Sequence, residues 1–323
     1  MELDASNASL WLNAMGIATS YLRCQELGGG VSNRVILVEA PEFRAVLKQS
    51  LGKLRVEREW LSDRARIFRE AAAMRWLQGR VRGGHVPALL REHRAEFTIA
   101  MEAAPSSAAM WKTKLFAGQL NPAHARAAGI LLGSIIAASW EHPEARELFG
   151  DQTVFDQLRI DPYYRFTASV HPELKGYFHH LMEQSAARRV SLVHGDWSPK
   201  NLLLAGEELW AIDWEVVHFG DPSFDVGFLL NHIALKSIAL PQLKQHLAGL
   251  ATEFLNALNA ELPGGAAWIE AAALVHLPAL LLARVDGKSP AEYLDEAGRR
   301  RASKLAISLM HEPAASIDEV FSR

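Results

Sequence analysis

The chain changes character once, near Ala103–Ser107, and this limits its fold more than any other feature. Before that point, short apolar and β-branched runs over residues 35–39, 45–48, 86–90 and 97–101 read as strands, with a turn at Pro41 and Glu42. Two helical patterns accompany them. One is short and amphipathic over Asn7–Met15; the other runs from Arg55 to Gly79, with Ile67, Met74, Trp76 and Leu77 among its apolar points. Beyond the change, long alanine- and leucine-rich helical patterns cover residues 123–140, 171–188, 242–262 and 266–285. A β-rich island at residues 191–194, 201–204 and 209–212 interrupts them. The expectation is an α+β chain, with a β-rich part over residues 1–103 carrying one inserted helix and a mainly helical part over 104–323.

Composition narrows the class further. Of 323 residues, 49% are hydrophobic and 22% charged, which fits a globular chain and not a disordered one. A formal charge of −3 provides no basic field for nucleic acid or an anionic membrane, so neither is expected as a partner. The single cysteine, Cys24, has no intramolecular partner, which suits a reducing cytoplasm. Residues 1–11 lack the basic then apolar pattern of a secretory signal. The apolar run 128–140 is too short to span a bilayer, and 269–285 contains Glu270, His276 and Pro278. Both read as buried helices.

The chemistry-bearing pattern lies in the β-rich island. His194, Gly195 and Asp196 follow one short strand, Asn201 opens the next, and Asp213 ends a third apolar run. Asp196 and Asn201 have the Asp-x-x-x-x-Asn spacing of a kinase catalytic loop. Phosphoryl transfer needs a carboxylate to receive or orient the attacking hydroxyl, and an amide oxygen plus a second carboxylate to hold Mg²⁺ on the phosphates. Upstream, the glycine-rich segment Gly28–Asn33 lies between candidate strands, where its amides can close over phosphates. It is neither a Walker A loop nor an intact G-x-G-x-x-G, and a hairpin turn explains it equally well. Lys48 ends a strand within reach of phosphates, and Glu70, on the following helix, can pair with it. Glu57 and Glu59 are alternatives for that partner.

With these residues, the chain resembles the aminoglycoside phosphotransferase and choline kinase-like family. The resemblance covers roughly Leu27 to Tyr293 and extends to Gly220, Asp221, Pro222 and Asp225. It implies a protein-kinase-like two-lobed fold, with an antiparallel sheet and one helix in a nucleotide-binding N-lobe and a mainly helical C-lobe. It further implies an ATP- and Mg²⁺-dependent, cytoplasmic phosphotransferase acting on a small hydroxyl compound. In that frame Asp196 is the catalytic base, and Asn201 and Asp213 are the catalytic metal ligands. Gly29, Gly30 and Ser32 cover the triphosphate, and Lys48, held by Glu70, binds the α- and β-phosphates. The backbone of Met101 and Ala103, flanking Glu102, receives adenine. His194 and Asp225 brace the catalytic loop. Methylthioribose-, homoserine- or choline-kinase-like activity and a non-catalytic nucleotide binder are the alternatives.

The acceptor side departs from the family pattern. Trp197 and Lys200 stand where the family usually has other residues, and both are expected to border the acceptor pocket. Glu215, Arg284 and Lys288 are further acceptor-side candidates. The segment Arg159–Arg165 could bring Arg159, Asp161 or Tyr163 to the acceptor cleft, but Asp161, Pro162 and Tyr163 read more readily as an ordinary turn with aromatic packing. Ser289, Pro290 and Glu292 read as a capping box starting a helix. The last third shows no conspicuous acidic run, which argues against a polycationic acceptor.

Overall fold

The computed structural model describes residues 2–17, 22–28, 33–52 and 63–323. The chain forms two compact units. The first comprises Met1–Gly79, Val86–Ser106 and Asp213–Val216; the second comprises Arg80–His85, Ser107–Ile212 and Val217–Arg323.

Unit 1 is built on a five-stranded antiparallel sheet. Its strands are β1 (Arg23–Glu26), β2 (Asn33–Ala40), β3 (Phe43–Ser50), β4 (Leu89–His93) and β5 (Thr98–Glu102), in the order β1-β2-β3-β5-β4. The Pro41–Glu42 turn joins β2 to β3 with Ala40 opposite Phe43. Helix α1 (Ala8–Ala14) lays Trp11 and Leu12 on Ile36, Val38, Ala45 and Leu47 of the sheet. Cys24 packs against the same core, as a small hydrophobe does. Helix α2 (Arg66–Leu77) packs on β3, β4 and β5. The expected strand at residues 86–90 is shifted, because Ala88 instead donates to the Glu102 carboxylate and accepts from its amide.

Unit 2 carries the remaining helices. The first five are α3 (Trp111–Phe116), α4 (Pro122–Ser139), α5 (Pro143–Phe149), α6 (Thr153–Phe155) and α7 (Phe166–Val170). After them come α8 (Lys175–Ala187), α9 (Ser223–Ala239), α10 (Lys244–Glu261), α11 (Trp268–Asp286), α12 (Glu296–His311) and α13 (Ile317–Ser322). Asn121 caps α4 through its side chain, with Pro122 in the first turn. Helices α4 and α10 approach closely because Gly129 has no side chain; a Cβ there would lie 2.4 Å from the Phe254 carbonyl. The β-rich island forms two small sheets. β6 (Ala109–Met110), β8 (Leu202–Ala205) and β9 (Glu208–Ala211) make one, and β7 (Ser191–Val193) pairs with β10 (His218–Gly220) in the other. Helix α11 is long and apolar enough to cross a membrane by length and composition; 61% of that stretch is buried, and it packs on α9 and α12.

Two local expectations are overturned. Asp161, Pro162 and Tyr163 form no turn but lie inside a wide helical stretch, Asp156–Arg165. Proline lacks the amide that a tight helix would use, and the wider i→i+5 pattern tolerates it. Tyr164 anchors the stretch, burying its ring and placing its hydroxyl 2.7 Å from His276 Nδ1. Ser289 does not start a helix either. The Arg284 guanidinium binds its carbonyl and its hydroxyl, the latter at 2.8 Å, so the next helix waits for the Asp295 cap.

Candidate active site

In unit 1, strand β3 carries Lys48 inward and α2 brings Glu70 to meet it. Lys48 Nζ lies 2.6 Å from Glu70 Oε2 and 2.6 Å from Asp213 Oδ1. Lys48 is 4% exposed and Glu70 is wholly buried. Burial alone would push the Lys48 ammonium down, but Asp213, Glu70 and Glu215 together outweigh it and hold it charged above the usual lysine range. Burial raises the Glu70 carboxyl, with Lys48 opposing. Asp213 adopts a left-handed backbone, φ 70°, a conformation disfavoured for a non-glycine residue and concentrated at functional sites. Met101 and Glu102 end β5, and Ala103 follows them; the Glu102 amide already donates to Ala88. Gly29, Gly30 and Ser32, with the alternatives Glu57 and Glu59, lie outside the described residues.

Glu215 has a different place from the one expected. Its Oε2 accepts from Asn33 Nδ2 at 2.8 Å and from Arg66 Nε at 3.0 Å, and all three side chains are buried. It joins β2 to α2 within unit 1, so an acceptor role does not fit it.

In unit 2 the catalytic-loop candidates are tightly braced. Gly195 has φ 78°, which glycine adopts without steric cost. Asp225, fully buried at the start of α9, accepts from the His194 amide at 2.6 Å and the Gly195 amide at 2.9 Å, one with each oxygen. Burial pushes its carboxyl up to about 7, while these two donors act in the opposite direction. His194 Nδ1 accepts from the Asp196 amide, which leaves Nε2 to donate to the Ile212 carbonyl at 3.0 Å. Asn201 Nδ2 donates to the Asp196 carbonyl at 3.0 Å, and its own carbonyl accepts from the Ile212 amide. The amide group of Asn201 therefore presents Oδ1, the atom with lone pairs for a cation. Asp225→Asn is expected to cost about 2–3 kcal/mol, because its amide nitrogen would face an N–H donor; a lowered urea midpoint checks this.

The Asp196 carboxylate is 4% exposed and faces two cations. Its Oδ2 lies 3.0 Å from Arg159 and 2.9 Å from Lys200. Arg159 also binds the Gly195 and Leu158 carbonyls. The sequence offered Arg159 for the acceptor cleft but favoured a turn there; the structure places its guanidinium on Asp196 instead. Trp197 does not border an open pocket, since it is wholly buried with its ring edge on His194, centroids 5.5 Å apart. Lys288 pairs with Asp161 at 2.7 Å and its amide binds the Pro162 carbonyl, so it fastens the wide helix. Of the other two acceptor-side candidates, Lys200 reaches Asp196 and Arg284 reaches Ser289.

Three comparisons bear on this geometry. Residues 23–252 match the model of the phosphotransferase enzyme family, APH. A methylthioribose kinase of Pectobacterium atrosepticum is 25% identical over 258 residues, covering 69% of this chain and 62% of that kinase. The chain thus spans less than two thirds of the length of the curated relatives it matches. A solved choline/ethanolamine kinase family protein from Mesorhizobium loti superposes with a TM-score of 0.57 at 16% identity, covering 98% of this chain and 97% of that one. The streptomycin–ATP ternary complex of APH(2")-IIa gives 0.53 at 16% identity, with 99% of each chain covered. Likeness at such identity concerns the fold, which is protein-kinase-like and α+β, as the sequence resemblance implied.

Proposed function

We propose, since this chain belongs to the phosphotransferase enzyme family, that it transfers the γ-phosphoryl group of ATP to a hydroxyl of a small molecule. The observation that carries this reading is Lys48, whose ammonium is held between Glu70 and Asp213 at 2.6 Å from each. A buried lysine fixed in this way presents its charge in one position, as a phosphate contact requires. Nucleotide complexes among the structural relatives, such as the ATP complex of APH(2")-IIa, support ATP as donor.

In the reaction, the acceptor oxygen bonds to the γ-phosphorus as the bond to the β-phosphate bridging oxygen breaks. ADP leaves, and the hydroxyl proton passes to Asp196. Arg159 and Lys200 hold Asp196 in place, and the Asn201 bond to the Asp196 carbonyl fixes the loop that carries both. Asn201 and Asp213 would be the Mg²⁺ ligands, an amide oxygen and a carboxylate being hard donors of the kind that ion takes. When bound, that ion would neutralise phosphate charge. Met101 and Ala103 would receive adenine. Metabolite-kinase activity is supported by the methylthioribose kinases among the relatives.

Acceptor-dependent ADP formation with Mg²⁺-ATP, scored across hydroxyl compounds of different charge with the product identified by phosphorus NMR, tests the proposal. Acceptor-dependent, magnesium-dependent transfer is expected. Nucleotide binding without transfer to any of them would sink it.

A further inference from the structure

Beside its catalytic-loop candidates, unit 2 gathers Lys112, Lys236 and Arg284, for which the described residues supply no paired acid. Lys236, on α9, is 1% exposed, and its Nζ makes one hydrogen bond, to the His232 carbonyl at 3.2 Å. Its other neighbours are aromatic faces, with Nζ 5.5 Å from the Phe116 ring and 5.6 Å from that of Tyr293. Lys112 approaches the same Tyr293 ring at 5.9 Å, and its amide donates to the Pro199 carbonyl at 2.8 Å, between Asp196 and Asn201. Arg284 binds Ser289 through Nη1, while among the described residues its Nε and the Tyr293 hydroxyl are buried with no hydrogen-bond partner. Among the described residues no carboxylate pairs with Lys112, Lys236 or Arg284.

The charges that reach this region are all of one sign. Burial first, then Lys112 and Arg284, pushes Lys236 down to about 7. Burial, then Lys236, Arg284, Lys200 and Lys112, holds His232 well below the usual histidine range. Such an arrangement is unfavourable as packing, because buried cations need a counter-charge. Lys112 and Arg284 are half-buried and Lys200 is exposed, so the group runs from the interior to the surface. A contiguous path also links it to the base. Arg159, paired with Asp196, lies 5.8 Å from the Phe228 ring, and Phe228 packs edge-on against His232 at 5.1 Å.

We infer that Lys112, Lys236 and Arg284, gathered around Tyr293, form a recognition site for a carboxylate or phosphate group carried by the acceptor. Planar and point-charge donors together suit either anion. The same site disfavours a polycationic acceptor, whose ammonium groups would meet like charge. That the anion belongs to the acceptor rests on the phosphotransferase reading; that an anion binds here does not.

The test uses three compounds of one carbon skeleton: glycerol, glycerate and glycerol 3-phosphate. Calorimetric titration of the full chain is expected to show one charged compound binding at least about 10-fold tighter than glycerol. Whichever of the two binds tighter identifies carboxylate or phosphate. Lys236→Met is expected to abolish that preference, and to raise the ligand-free Tm by about 2–4 °C because a buried cation without a counter-charge is gone. The half-buried Lys112→Gln provides a second variant, with at least a 10-fold loss expected. Equal binding of all three compounds, or a preference intact in both variants, overturns the inference. Transfer from Mg²⁺-ATP is scored separately. Phosphorylation confined to uncharged or cationic acceptors overturns the inference and leaves the phosphotransferase reading standing. Variant-sensitive anion binding without transfer supports the anion site and counts against that reading.

Discussion

Asp196→Asn is expected to lower kcat for ATP-dependent phosphorylation by about 10²–10⁴-fold, the usual contribution of a positioned proton acceptor. The substitution is nearly isosteric, and the remaining carbonyl oxygen can still accept from Arg159 or Lys200. Arg159 also keeps its bonds to the Gly195 and Leu158 carbonyls, so its guanidinium is not stranded. The fold should therefore survive, with Tm lowered by only a few degrees. The nucleotide Kd should move little, because the groups proposed to hold the donor phosphates are Lys48, Asn201 and Asp213. Steady-state kinetics beside a nucleotide titration separate these effects. Wild-type turnover in the variant would remove Asp196 from the reaction. A loss confined to nucleotide affinity would move its role to the donor side.

Lys200 gives this prediction a finer edge. Its Nζ shares Asp196 Oδ2 with Arg159, so an incoming hydroxyl must compete for an oxygen already bound twice. Lys200 is exposed, whereas Arg159 is buried and held by two carbonyls. The two cations therefore do different work. On the proposed reading Arg159 is the fixed contact of the carboxylate, and Lys200 is the one an acceptor would displace.

What the sequence made legible follows from what chemistry constrains. Asp196 and Asn201 were picked out by their Asp-x-x-x-x-Asn spacing and Asp213 by its place after an apolar run, and the structure bonds Asn201 Nδ2 to the Asp196 carbonyl and Asp213 to Lys48. Order along the chain offered Glu70 to Lys48 together with Glu57 and Glu59, and the structure pairs Glu70 with it. The residues that escaped depend on packing. Trp197 looked like a pocket residue by position, yet it is an interior side chain against His194. Glu215 sits two residues after Asp213 and, like it, belongs to unit 1, but its carboxylate is taken up by Asn33 and Arg66. Arg159 was offered but outweighed, because a proline nearby suggested a turn where the chain forms a wide helix, and its contact with Asp196 depends on that helix. Lys236 left a readable trace: Phe228, His232 and Lys236 recur every four residues in an otherwise apolar helix, which puts a charge on a buried face.

Lys48→Met is expected to abolish measurable phosphorylation, with kcat/KM reduced at least about 10²-fold, and to destabilise the protein by about 3–5 kcal/mol. The second effect arises because the variant leaves Glu70 buried beside Asp213 with no cation between them. The stranded Glu70 carboxyl would have a folded pKa raised above its unfolded value. Stability is then fullest below the unfolded pKa and is lost as pH rises through the folded one, so the deficit should grow between about pH 5 and 8. Lys48→Met/Glu70→Leu removes both charges and should recover most of the lost stability, giving a coupling of about 2 kcal/mol or more. It should recover none of the turnover, because the phosphate contact is still missing. Urea melts at two pH values, alongside kinetics on the three variants that complete the cycle, separate the structural charge pair from the phosphate ligand. Additive single-variant losses would dismiss the pair as a stabilising unit. Turnover restored in the double variant would dismiss Lys48 as the residue that holds the donor.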